Sequence, residues 1–357
     1  MKISKRYEFD GGRLFVGANS ASGFVSFYDT ILNDEKIEKI YIIKGGPGTG
    51  KSRFMGDAAK RAEELSYSVE RYYCSSDPDS LDAVVIGGKY ALLDGTAPHT
   101  VEASCAGARE EIINLGAFWD SDRLAESLDK IKELSKKKSK CYKRAYRYLE
   151  AAENVREINN RLILPTFLEN KAKGAVDRIF GEIKKGGSHS LSVGMICSVS
   201  MKGRVRFDTY EHFADKVYLV DDFYGVGALY LRLIIMKAIE TDTPVRVSYD
   251  PLDTISPNAV FFPNDKKAFL LGREGDILPR DAVINMRRFV DNTALSLVRS
   301  EYRFNEKLYE ALLSSAEEKL REAGKHHFEL EKIYEECMDF GSKEVFCNNF
   351  LNNLFNN

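Results

Sequence analysis

Eight consecutive residues, Gly45-Gly46-Pro47-Gly48-Thr49-Gly50-Lys51-Ser52, place glycines, a lysine and a hydroxyl at the spacing G-x-x-x-x-G-K-[ST]. Glycines let backbone N–H groups converge on phosphate oxygens with no Cβ in the way. A helix starting here adds unpaired N–H groups and a partial positive charge. Lys51 can then reach the β- and γ-phosphates, and the Ser52 hydroxyl can complete a Mg²⁺ shell. The chemistry is that of a nucleoside triphosphate, with ATP and Mg²⁺ as the expected ligands.

The flanking elements suit that task. Lys39 to Lys44 is an apolar run of strand length, and Arg53 to Leu65 reads as a helix. Its Phe54, Met55, Ala58, Ala59, Ala62 and Leu65 recur at helical spacing on one face. The expected nucleotide-binding stretch is Gly45 to Arg53. A second strand, Ser68 to Cys74, runs into a polar loop carrying Asp77, Asp79 and Asp82. Ligands of open α/β sheets sit beyond the C-terminal ends of strands, so this loop should lie near the phosphates. Asp77 is accordingly a catalytic candidate, although an Asp-Pro turn also has structural uses. Further on, Lys89 to Leu93 reads as a strand ending in Asp94, a carboxylate suited to the Mg²⁺ shell opposite Ser52. Ser52 and Asp94 are therefore the expected metal contacts, and Lys51, Asp94 and Asp77 the catalytic candidates. No glutamate follows Asp94. The residues open to polarising a water are Asp77, Asp79, Asp82, His99 and Glu102, or a backbone-oriented water with slow, gated turnover.

A worn copy of the motif follows. Lys39 and Lys216 lie 177 positions apart (216 − 39), and the same offset pairs Tyr41 with Tyr218, Gly48 with Gly225 and Gly50 with Gly227. It also pairs Lys51 with Ala228 and Ser52 with Leu229, so the copy is expected to keep the turn without its chemistry. Asp77-Pro78 corresponds to Asp250-Pro251, whereas the counterpart of Asp94's strand, Ala268 to Gly272, ends without a carboxylate. Lysine, hydroxyl and carboxylate are lost together, as a shared magnesium–nucleotide role would require. Catalysis at such loops often uses an arginine from a neighbouring unit. Arg232, Arg273, Arg280, Arg287 and Arg288 are the candidates in cis.

From Asp120 the pattern turns helical until Pro165, and again from Leu295 to Tyr334; each region reads as a long helical hairpin. Lys136, Lys137, Lys138, Lys140, Lys143, Arg144 and Arg147 gather at the first expected bend, near Tyr142, Tyr146 and Tyr148. Such a cluster suits nucleic acid, a solvated tip, or the glutamates of the second helical region. His326 and His327 point in different directions on a helix, which argues against a paired metal site.

Bulk composition bounds the rest. The 357 residues, 44% hydrophobic, suffice for two cores, and a net charge of −2 gives no global argument for nucleic acid or an anionic membrane. Six scattered cysteines without a C-x-x-C pair read as reduced thiols. No signal-peptide core opens the chain, and the most apolar helix, Leu229 to Ile239, is short and carries Arg232 and Lys237. A cytoplasmic chain without a membrane span is expected, its oligomeric state open.

The chain resembles a family of uncharacterised tandem P-loop ATPases of Gram-positive bacteria. The resemblance rests on Gly12 to Ala18, Gly45 to Ser52, Cys74 to Asp82 and Asp94 to His99, and it implies ATP binding at Gly45 to Ser52. The expected fold is α/β: two tandem P-loop NTPase-like units, 1–187 and 188–357, related by a pseudo-two-fold. Each is a mainly parallel sheet flanked by helices, with a helical hairpin extension. The expected function is Mg-dependent ATP hydrolysis in the first unit, beside an inactive regulatory or structural repeat. A kinase passing the γ-phosphate to a small acceptor, and a non-catalytic nucleotide-gated binder with a protein or small-molecule partner, are the alternatives.

Overall fold

A computed structural model of the chain describes residues 9–184, 186, 191–272 and 280–356. Arg273 and part of the boundary expected at Lys184 to Ser188 fall outside them.

Strand β4 (Lys39–Lys44) is buried on both faces. Ile40 and Ile42 enter one core, and Tyr41 and Ile43 another, so the strand needs a continuous apolar run. With β1 (Arg13–Phe15), β5 (Val69–Tyr73), β6 (Leu81–Ile86), β7 (Tyr90–Asp94) and β8 (Glu110–Asn114) it forms a sheet in the order β1-β5-β6-β7-β4-β8. β4 is parallel to both its neighbours, whereas β6 runs antiparallel to β5 and β7.

The second half repeats this strand for strand. Its order is β9 (Leu191–Val193), β13 (Val245–Tyr249), β14 (Pro257–Phe262), β15 (Lys267–Gly272), β12 (Lys216–Asp221) and β16 (Ala282–Asn285), with β14 antiparallel. Each half adds a hairpin, β2 (Gly17–Ser20) with β3 (Gly23–Ser26) and β10 (Cys197–Ser200) with β11 (Gly203–Arg206). The fold is α/β with two mixed, mostly parallel sheets.

The sheets lie face to face. One core takes Ile40, Tyr72 and Val85 from the first and Val217, Phe261 and Leu270 from the second. Within it Glu70 of β5 and Arg246 of β13 form an ion pair at 2.8 Å, 2% and 0% exposed. The outer faces carry α2 (Lys51–Glu64) on the first sheet and α7 (Val226–Glu240) on the second.

In place of a hairpin in each half, one long helix from each half pairs with the other. α4 (Leu128–Ile163) and α8 (Asn292–Glu335) have 36 and 44 residues, about 54 and 66 Å at 1.5 Å per residue. They run antiparallel: Cys141 meets Glu322 near one end, and Asn159 meets Tyr302 and Asn305 near the other. The bend expected at Lys136 to Arg147 does not form. No Gly or Pro interrupts α4, a Glu133–Lys137 pair spans the region, and Ala145, Leu149 and Ala152 continue one stripe against Leu313, Ala316 and Leu320.

Each long helix thereby crosses to the opposite sheet. α5 (Glu169–Phe180), from the first half, packs Ala172, Val176 and Phe180 against the second sheet. α9 (Phe340–Asn356), from the second, packs Cys347 and Leu351 against the first. Backbone bonds tie down both crossings, Leu168 donating to Phe289 and Asp120 to Cys337, each at 2.8 Å. Short helices α1 (Asp29–Leu32), α3 (Ser121–Glu126) and α6 (Thr209–Phe213) fill the connections. Among the described residues no helix is long and apolar enough to cross a membrane.

Arg156 of α4 clamps the loop after β13 through Asp250 (2.9 Å) and Asp253 (3.2 Å), with Glu153 against the same guanidinium. Burial pushes the Glu153 carboxyl up to about 7; Arg156 opposes this and Asp253 adds to it. The folded chain therefore binds more protons than the unfolded one between the ordinary value of 4.5 and about 7, and stability falls as pH rises through that window. Glu153→Gln should stabilise the protein at pH 8 by roughly 1–3 kcal/mol and change little at pH 5. Thermal midpoints at the two pH values check this, and an equal shift at both would refute it.

Candidate functional site

The loop between β4 and α2 is built from glycines because its backbone needs them. Gly45, Gly48 and Gly50 have φ of 151°, 69° and 76°, a region costly for other residues. Thr49, fully buried, donates to the Gly46 carbonyl at 3.0 Å and closes the loop from inside. Gly50 caps α2 without a side chain, and no acidic residue occupies the first turn. The helix end thus offers free N–H groups and a partial positive charge to an outside anion.

Lys51 is held over this loop. Its Nζ donates to the carbonyls of Gly45 (3.0 Å) and Gly46 (2.8 Å) and lies 3.6 Å from Asp94 Oδ2. Asp94 ends β7 in parallel register with Ile43, so neighbouring strands deliver the carboxylate and the loop together. Thr96 binds the other Asp94 oxygen through its N–H (2.9 Å) and hydroxyl (2.6 Å), which leaves Oδ2 toward the lysine. Ser52 Oγ accepts from the Leu81 N–H at 2.9 Å, and Arg53 is exposed.

Among the described residues no group of three or more His, Cys, Asp or Glu is placed to hold a metal. Mg²⁺ is commonly bound by one or two protein ligands plus substrate phosphates and water. A hydroxyl and a carboxylate beside a glycine cradle fit that pattern, so Ser52 and Asp94 are the residues that would hold it.

The candidates for a water-polarising base are engaged elsewhere. Asp77 accepts from the Ser80 hydroxyl at 2.6 Å within its own turn, and Asp79 pairs with Lys202. Asp82 and His99, both buried, approach each other at 2.8 Å, with His99 packed on Phe24 and Tyr28. Glu102 pairs with Lys44 at 2.7 Å.

What covers the loop comes largely from the second half. Trp119 and Tyr334 pack on Gly46, where an added Cβ would lie 3.1 and 3.3 Å from them. A Cβ on Gly48 would strike the Glu331 carbonyl at 2.6 Å, and one on Gly50 would lie 3.0 Å from Lys343 Nζ. Burial works against the Glu331 charge, but His327 at 3.4 Å, the Gly48 N–H and Lys51 together hold its carboxyl below the ordinary range. No spacing in the sequence links Glu331 or Lys343 to this loop. The one signal was the apolar face of the last helix, Cys347, Phe350, Leu351 and Leu354, which lacks a partner within its own half.

The second turn departs from the first in shape as well as chemistry. Four residues, Asp222 to Gly225, separate β12 from α7, against six, Gly45 to Gly50, in the first half. The Asp222 carboxylate accepts from the Gly227 N–H at 2.8 Å, so the chain's own anion occupies that helix end. The expectation that the copy keeps the turn is therefore corrected. Arg287 stacks over Phe223, Arg288 over Phe289 and Arg232 bonds Ser256, all within the second half, while Arg280 is exposed.

The basic cluster lies along the middle of α4. Lys140, Lys143, Arg144 and Arg147 line a groove of about 1020 Å³ beside the β2–β3 tip. The glutamates of α8 serve both local partners and the cluster: Glu317 pairs with Arg204, Glu322 with Lys319 and Glu331 with His327, while Glu331 also favours the Lys138 charge and Arg144 that of Glu322. No protein-family model, curated protein or solved structure matches the chain.

Proposed function

We propose that the first half is a P-loop NTPase unit binding Mg-ATP, and that the second is a catalytically inactive repeat with a regulatory or structural role. The family resemblance at Gly45 to Ser52 agrees with this. The observation that carries the proposal is Lys51 poised at a bare helix end, between loop carbonyls and Asp94 of the adjacent strand. Held by Ser52 and Asp94, Mg²⁺ would supply charge neutralisation to the phosphates. The chain's own residues cradle the phosphates through loop N–H groups, add the Lys51 charge, and exclude water with Trp119 and Tyr334. Hydrolysis is the leading activity. The engagement of Asp77, Asp79, Asp82, His99 and Glu102 with other groups favours slow turnover. Six free thiols suit a reducing, cytoplasmic setting.

Turnover of Mg-ATP, with ADP and free phosphate followed separately, tests this. Equal release means hydrolysis. ADP in excess when a candidate acceptor is present means a kinase, and tight binding without turnover means a nucleotide-gated binder. Asp94→Asn should keep nucleotide affinity within about tenfold while cutting turnover roughly a hundredfold or more. Wild-type turnover in that variant would remove Asp94 from the site.

A further inference from the structure

Lys343 belongs to the first turns of α9, the helix that the second half contributes to the first sheet. It is 5% exposed. Among the described residues its ammonium has no ion pair or hydrogen bond, and it stands against Gly50, where the loop becomes α2. The stem is buried, and the ammonium at its end reaches solvent beside the loop.

The surroundings add further positive charge. The positive end of α2 carries no acidic residue in its first turn, and Lys51 adds a charge beside it. Lys138 of α4 has its charge disfavoured chiefly by burial; Glu331 opposes that effect and Lys51 adds to it. Three ammonium groups from three separate elements thus converge near one loop. Three carboxylate side chains stand near them, Asp94 beside Lys51 and Glu331 and Glu335 beside Gly48. None forms an ion pair with Lys343. The ligand that complements a free ammonium at a helix N-terminus is an anion, and a triphosphate would supply several units of negative charge.

We propose that Lys343 is a phosphate-contacting residue of the first-half site, which is complete only when the second half's last helix is docked. The inference rests on the P-loop reading above. It assigns to a lysine of α9 the part that a neighbouring unit's arginine plays in other P-loop proteins.

The test uses the full chain with two probes, Mg-ATP and inorganic tripolyphosphate, the latter removing any contribution from the base. Lys343→Met keeps the stem's packing and removes the charge. It should weaken both probes tenfold or more while the ligand-free thermal midpoint stays level, since no ion pair or hydrogen bond is lost. Lys343→Arg should bind within a few-fold of wild type. Unchanged affinity in Lys343→Met overturns the proposal. So does an equal loss in both variants, which would mean that packing and not charge is what Lys343 supplies. Failure of the wild-type chain to bind either probe would instead count against the P-loop itself.

Discussion

Lys51→Ala should weaken Mg-ATP binding by about a hundredfold and leave the fold standing. A charge-assisted hydrogen bond to phosphate is worth up to roughly 3 kcal/mol, and 1.4 kcal/mol is tenfold in affinity. The side chain also bonds two loop carbonyls and faces Asp94, so its loss frees acceptors where the phosphates would sit. The loop's shape does not depend on it. That shape is set by glycine dihedrals and by Thr49 beneath, so the thermal midpoint should move only a few degrees. The chain carries its own reporter: its one tryptophan, Trp119, packs on Gly46 against Tyr334. Titrating Mg-ATP while following Trp119 emission gives the affinity in each protein. An undiminished response in Lys51→Ala would dismiss the site.

Glu70→Ala should destabilise the protein by about 3–5 kcal/mol, the cost of stranding a buried charge. Arg246 is fully buried between the sheets, 2.8 Å from Glu70, with its guanidinium 4.6 Å from the Phe9 ring centre. Water cannot replace the lost carboxylate there without opening the core that joins the two sheets. The double change Glu70→Leu with Arg246→Met should recover most of the loss, because the pair's attraction largely offsets its own desolvation. Urea unfolding of wild type, single and double variants decides the matter. A single variant within 1 kcal/mol of wild type would show that the pair is not shielded as its burial implies.

The legible parts of the sequence were those governed by short-range rules. β4, the glycine loop and α2 follow one another within 26 residues, Lys39 to Glu64, and strand pattern, turn chemistry and helix period agree there. Asp94 was readable as the end of an apolar run, and the repeat by the 177-residue offset that pairs Lys39 and Tyr41 with Lys216 and Tyr218. Leu81–Ile86 was not read as a strand, because the polar loop before it and Asp82 within it mask a segment buried throughout. Its antiparallel course is what makes the first sheet mixed, as that of β14 does the second. Clustered lysines resemble a solvated bend, but α4 runs unbroken through them because no Gly, Pro or capping residue interrupts it. Which helix covers which sheet was unreadable, since an amphipathic face specifies that it must be buried and not by whom. Asp77 was visible as an acidic residue near the loop, but its hydrogen bond to Ser80 depends on a turn that composition does not fix.

The crossing of α5 and α9 has a consequence for how the chain is made. The first sheet is synthesised early, yet the helix that seals its outer face beside α2 is Phe340–Asn356. Tyr41 and Phe54, which meet Phe350 in the folded chain, therefore lack that cover until residues 340–356 have been made. Folding of the first half cannot finish on its own schedule, because a helix of the second half closes its sheet.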